Sequence, residues 1–150
     1  MNSHSLPDSL TTVLSSAPLQ EALQAIIAHF GCQAGTYHRL DGSTLFLSAA
    51  FNIPAPVVSL IQEVPIGKGI AGLAAERLAP VSLCNLQTDT SGQARPAARS
   101  TGMEGSLAVP ALNTAGALCG VLGIAKAEAH DWTDEEKAAV CAAANSLSSR

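Results

Sequence analysis

Gly67, Gly69 and Gly72 stand in a G-x-G-x-x-G spacing with Lys68 inside it. A short apolar strand precedes this turn and a helix over 70–77 follows. The first amides of that helix have no intrahelical acceptor, and a positive charge lies beside them. Such a place can hold an anion, but it also lets a short helix pack close against a sheet. Asp89 lies 20 residues after Gly69, the spacing of a ribose-binding acid in a dinucleotide site. Against that site, the preceding strand is very short and contains Pro65, Asp89 sits in a polar loop, and the helix is too short for a parallel crossover. The residues alone weaken the dinucleotide reading and leave open whether the turn holds an anion or only packs the helix.

The other reactive side chains are cysteines and histidines. Cys32, Cys84, Cys119 and Cys141 are widely spaced, with no C-x-x-C and no Cys/His pairing at zinc spacing. Small buried hydrophobes is their simplest role. His29 ends a helix and His38 lies on the first strand, each a structural or surface residue by default. No metal ligand set and no cofactor follow from these residues.

The densest polar chemistry is in residues 85–101, which contain Gly92 and Pro96 and show no apolar period. An irregular loop of that length in a compact chain is uncommon and often functional. Arg95 and Arg99 could hold a carboxylate or phosphate through their guanidinium forks. Asn85, Thr88, Asp89 and Thr101 offer hydrogen bonds, Cys84 borders the loop, and Ser106 opens the next strand. Phe51 and Ile70 are candidates for an apolar floor. These residues form the expected ligand site, with Asp89 and Ser91 also suited to plain turn formation.

The elements that must position them follow from periodicity. Leu6, Leu10, Val13 and Leu14 give a short helical stripe. Leu19, Leu23, Ile26, Ile27 and Phe30 form one clean helix face, ended by Gly31. Residues 34–40 and 44–51 predict a hairpin about Asp41-Gly42. Val57, Val58, Leu60 and Ile61 suggest a short helix after Pro54 and Pro56. Residues 105–112 and 116–126 predict a second hairpin, with Pro110 calling for an edge or a bulge. Thr133 and Glu136 form a capping box that starts a last helix through Val140, Ala144 and Leu147. The order predicts one α+β domain over 1–150 with an antiparallel sheet.

Apolar residues make up 47% of the chain and charged residues 13%, which predicts a packed core rather than disorder. The net charge of −4 supplies no basic field for nucleic acid. No apolar run is long enough to span a membrane, and Met1-Asn2-Ser3-His4 does not open a secretory signal, so the expected location is cytoplasmic.

An ordered set of short motifs resembles the GAF domain family. It consists of Pro65-Ile66-Gly67-Lys68-Gly69-Ile70-Ala71-Gly72, Pro80-Val81, Ala98-Arg99-Ser100-Thr101-Gly102, Ser106-Leu107-Ala108-Val109-Pro110, Gly120-Val121-Leu122-Gly123-Ile124 and Trp132-Thr133-Asp134-Glu135-Glu136, within a span of roughly 19–147. The resemblance implies a GAF/PAS-like central antiparallel sheet with the terminal helices on one face. A small-molecule pocket would lie on the other, under the Val57 helix, the Ile70 helix and the 85–101 loop.

The resemblance also separates subtypes. Cyclic-nucleotide-binding members carry an Asn-Lys…Phe…Asp-Glu pattern, against Ala125, Lys126, Trp132, Glu136 and Lys137 here. Free methionine-(R)-sulfoxide reductases carry a cysteine where this chain has Ala71, and further cysteines in the segment matching 85–101, which has none. A thiol mechanism needs a thiolate and a resolving partner within reach, leaving only Cys84 and Cys119 for a rearranged pair. Bilin-binding members use a pocket Cys-His that is absent. The expectation is a non-catalytic sensory domain for an unnamed small molecule, homodimeric through its terminal helices, with no nucleic acid or membrane partner.

Overall fold

The computed structural model describes residues 6–94 and 99–150. Pro7 and Pro18 stand directly before α1 (Asp8–Ser16) and α2 (Leu19–His29). Their preset φ and missing N–H suit a helix start, where the amide would go unpaired anyway. The predicted stripe of α2 is its buried face: Ala22, Leu23, Ile26 and Ile27. Gly31 follows with φ 66°, the left-handed geometry of a helix-ending glycine.

The chain then forms β1 (Ala34–Asp41), β2 (Thr44–Phe51), α3 (Ala55–Leu60), β3 (Glu63–Pro65), α4 (Gly69–Arg77), β4 (Val81–Leu83), β5 (Gly105–Leu112), β6 (Leu118–Lys126) and α5 (Asp134–Ser146). The strands make one six-stranded sheet in the order β3-β2-β1-β6-β5-β4. Every pairing is antiparallel. Pro110 is accommodated without an edge strand. β4 begins opposite Ala108, so no described strand pairs with that side of β5 beyond it, and the register with β6 shifts between Ala111 and Leu112. A residue without an N–H fits there.

Each face of the sheet buries its own cluster. Leu107, Val109, Ala111, Leu122, Ile124 and Tyr37 pack against α1, α2 and α5, meeting Leu14, Leu23, Ile26, Val140, Ala144 and Leu147. Fully burying such a side chain contributes about 1.5–3 kcal/mol. The opposite face buries Leu45, Val64, Val81, Ala108 and Val121 beneath Ala74 and Ala75 of α4. Tyr37 ties strand to helix, its phenol donating to the carbonyl of Leu147 at 3.1 Å.

The start of α5 is fixed as the sequence predicts. Thr133 accepts from the Glu136 amide, and the Glu136 carboxylate accepts from the Thr133 amide. His130 adds a contact to Glu136 at 2.8 Å. The amide of His130 donates to the carbonyl of Cys84, joining this corner to the end of β4. Among the described residues no helix is long and apolar enough to cross a membrane. No group of three or more His, Cys, Asp or Glu side chains among them could hold a metal ion.

Candidate functional site

Alternation along the central strands decides which side chains face α3 and α4. On β1, Gly35 and Tyr37 face the helical layer, since a Cβ on Gly35 would meet Ile27. Thr36 and His38 therefore face the other way. On β6, Gly123 pairs with Thr36 and with Ala108, and a Cβ on Gly123 would lie 3.2 Å from the Thr36 hydroxyl. Thr36, Gly123 and Ala108 thus form one row across the sheet, with Ala125 and Ser106 in the next.

This row is almost bare of side chains, so α3 and α4 close over a void. The cavity has a volume of about 140 Å³. Val57 and Ile61 of the α3 region, Val64, Ile70 and Ala71 form its apolar walls, while Leu86, Thr101 and Met103 close it from the loop side. The glycine turn holds α4 at this distance. Gly72 packs so tightly that a Cβ would sit 2.5 Å from the carbonyl of Pro65. Gly67 and Gly69 have φ of 91° and 67°, which L side chains rarely adopt. The turn is structural in these respects, and Lys68 also borders the cavity.

The polar groups in the lining are few. The hydroxyls of Thr36 and Ser106 have no hydrogen-bond partner among the described residues. His38 is 3% exposed, and its Nε2 lies 2.9 Å from the carbonyl of Ile61. A carbonyl only accepts, so Nε2 carries the proton. Its Nδ1 is buried and has no partner. Burial pushes the His38 pKa below its ordinary value, opposed by the bond to Ile61, so the ring is neutral and Nδ1 is a bare acceptor.

The sequence-derived site residues divide. Ile70, Thr101 and Ser106 line the cavity. Phe51 does not: it ends β2 on the helical side and is 37% exposed. A bulge causes this. Tyr37 faces Ala49 and His38 faces Leu47, leaving Ser48 unpaired. One extra residue inverts the alternation, so Leu45 packs on the cavity side and Ala49 on the helical side, and Phe51 follows Ala49.

Cys84 is exposed outside the cavity. Asn85 is turned to Glu104, donating to its carboxylate at 3.1 Å, and accepts from the Gln87 amide. Thr88 is exposed. Asp89 accepts from the amide and hydroxyl of Ser91 in an Asx turn. Arg99 donates to the Asp89 carbonyl at 2.7 Å. These four residues shape or cover the loop rather than line the cavity. Arg95, with Pro96 and Ala98, lies outside the described residues.

Sequence reading missed Thr36, His38, Ala108, Gly123 and Ala125 as cavity residues. The signal was present in part: small residues at alternate positions of paired strands leave a hole on one face. None of Cys32, Cys84, Cys119 and Cys141 lines the cavity. Burial pushes the Cys32 thiol up to about 11 and raises that of Cys141, the reverse of an activated nucleophile.

The chain is thus an α+β domain, with a six-stranded antiparallel sheet, terminal helices on one face and a small roofed cavity on the other. A family profile for the GAF domain matches residues 17–149, and the chain belongs to the GAF domain family. Solved structures agree on the fold. The GAF domain of a phosphoenolpyruvate-protein phosphotransferase from Coxiella burnetii is 22% identical, with TM-score 0.76, covering 94% of this chain and 87% of that one. A GAF sensor protein from Burkholderia vietnamiensis is 16% identical, with TM-score 0.75, covering 93% and 87%. The free methionine-R-sulfoxide reductase from Neisseria meningitidis, solved with its substrate, is 17% identical, with TM-score 0.74, covering 97% and 91%. A search of curated protein sequences found no match. Sensor domains and reductases thus share this fold, and at these identities the likeness extends to the fold alone.

Proposed function

We propose that this chain is a non-catalytic sensory GAF domain that binds one small molecule in the cavity over Thr36, Ala108 and Gly123. The cavity itself carries the reading. It is a partly open, apolar cleft with a few unpartnered polar groups among the described residues, the make-up of a ligand site. The reductase alternative has less support. Ala71, where the resemblance places a reductase cysteine, is in the cavity wall, and no thiol stands beside it. A thiolate attack on a sulfoxide needs a thiol at the bound substrate.

Tyr37 supplies a route from ligand to output. It lies on β1 between the cavity residues Thr36 and His38, yet its phenol holds the carbonyl of Leu147 just after α5. A ligand that prefers one arrangement of the β1 floor would bias the terminal helix by its differential affinity for the two states. Ala138, Ala139 and Ala142 on α5 are half-buried small residues, a surface on which a second copy could pair its helix.

Native mass spectrometry of the purified protein, with an Ala108→Leu variant in parallel, tests this. The added side chain would fill the cavity. A co-purified or titrated small molecule on the wild type and none on the folded variant is the expected result, with a dimer mass in the same spectrum. Thiol-dependent reduction of free methionine sulfoxide that Ala108→Leu abolishes would overturn the non-catalytic reading.

A further inference from the structure

Residues 53–61 roof the cleft with little holding them down. Ile53, Val57 and Ile61, four residues apart, are the members of this segment that line the cleft. Within α3 only Val57 is buried, at 3% exposed, while Leu60 is 59% exposed. One buried side chain is a small apolar grip for a helix, and segments with so few buried contacts open locally before the domain unfolds. A six-residue helix is also too short to persist in water once it leaves the body.

The two ends of the segment are fixed. Before it, the Asn52 side chain donates to the carbonyl of Gln33 at 2.9 Å, and Asn52 turns the chain at φ 56°. After it, the carbonyl of Gln62 accepts from the Leu47 amide at 2.9 Å, and β3 pairs with β2 from Glu63 onward. Between these points, among the described residues, one hydrogen bond joins the segment to the sheet. Nε2–H of the buried His38 donates to the Ile61 carbonyl at 2.9 Å. A ring rooted in β1 thus holds the far end of the roof.

We propose that residues 53–61 are a lid on the cleft, hinged beside Asn52 and Gln62 and latched by the hydrogen bond from His38 to Ile61. Its release lets Ile53, Val57 and Ile61 leave the cleft wall together. As an entry route the lid rests on the reading that a ligand binds in the cavity, but its lifting is a property of the empty domain.

Amide hydrogen exchange on the ligand-free full chain, followed by NMR at fixed pH over a series of low urea concentrations, measures the lifting. The amides of Val57, Val58 and Ile61, all bonded within the segment, should exchange as one set through an opening that urea barely affects. Amides of β1 and β6 should exchange only through urea-dependent global unfolding. In His38→Phe the α3 set should exchange roughly fivefold faster, the worth of one neutral hydrogen bond. In Val57→Cys the thiol at position 57 should react with N-ethylmaleimide, read peptide by peptide by mass spectrometry, and roughly fivefold faster again once His38→Phe is added.

An α3 set that exchanges only with global unfolding would overturn the lid. So would rates unchanged in His38→Phe, which would leave a fraying helix with no latch. A position-57 thiol that stays unmodified while the amides exchange would mean that the helix unwinds in place, and would overturn it too. If His38→Phe does not fold, the wild-type urea series and the position-57 thiol decide. Each of these outcomes leaves the ligand-site reading standing, since that reading is tested separately by the mass of the wild type.

Discussion

Replacing Tyr37 with Phe gives a test of the bond between sheet and terminal helix whose sign changes with pH. Tyr37 is 1% exposed and donates to the Leu147 carbonyl at 3.1 Å. That carbonyl also accepts from the Arg150 amide at 3.0 Å, so losing the phenol does not orphan it. The cost is the net worth of one buried neutral hydrogen bond, about 1 kcal/mol, rather than the larger penalty of an unsatisfied group. Near neutral pH the variant should be the less stable protein by that amount.

At alkaline pH the order should reverse. Burial, with Cys119 adding and Arg39 opposing, pushes the Tyr37 pKa up from about 10 to about 12. The unfolded chain therefore loses the phenolic proton first, and stability falls as pH rises from about 10 to about 12. Two units correspond to roughly 2.7 kcal/mol at the limit. Phe has no proton to lose, so the two stability curves should cross near roughly pH 10.5–11, where the loss reaches about 1 kcal/mol. Cys32, pushed up to about 11, loses stability in the same direction over about pH 9–11. It does so in both proteins and drops out of the difference.

The assay is urea unfolding followed by the fluorescence of the single tryptophan, Trp132, which is buried, at a series of pH values. Tyr37 is the only tyrosine, so phenolate absorbance reports its ionisation directly. Parallel curves that never cross, or a variant as stable as wild type at neutral pH, would refute this account of Tyr37.

Three further predictions concern other elements. His38 is buried neutral with its pKa lowered, so wild type should lose stability as pH falls below about 6.5, and His38→Gln should lack that slope in urea melts. Thr133→Ala removes the acceptor of the α5 capping box and should cost about 1 kcal/mol, with faster amide exchange confined to the first turn of α5. Leu78 ends α4 in the left-handed region at φ 52° and is 52% exposed, so Leu78→Gly should raise thermal stability by about 0.5–1 kcal/mol; a lower Tm would contradict the strain argument.

The sequence by itself determined the elements and their order. Local rules suffice for those: the spacing of Leu23, Ile26 and Ile27 on α2, the Asp41-Gly42 turn, and the reciprocal pair Thr133 and Glu136. The ordered motifs from Pro65 to Glu136 also pointed to the family, and the domain match over residues 17–149 agrees. The location of the site was only partly legible. Ile70, Thr101 and Ser106 line the cavity, but Asn85, Thr88, Asp89 and Arg99 look like ligand groups in sequence and spend their polarity on the loop itself or on solvent. A polar loop advertises hydrogen-bonding capacity without revealing where it is used.

Two decisions belonged to the tertiary structure. The bulge at Ser48 depends on how β2 registers against β1, and it moves Phe51 to the helical face. The cavity depends on what is missing: Gly123, Ala108 and Ala125 come together only when β5 and β6 pair beside β1, and α4 cannot descend because Gly72 already touches Pro65. His38 looks unremarkable in the chain. Only the fold brings the Ile61 carbonyl to one nitrogen of the buried ring and leaves the other without a partner among the described residues.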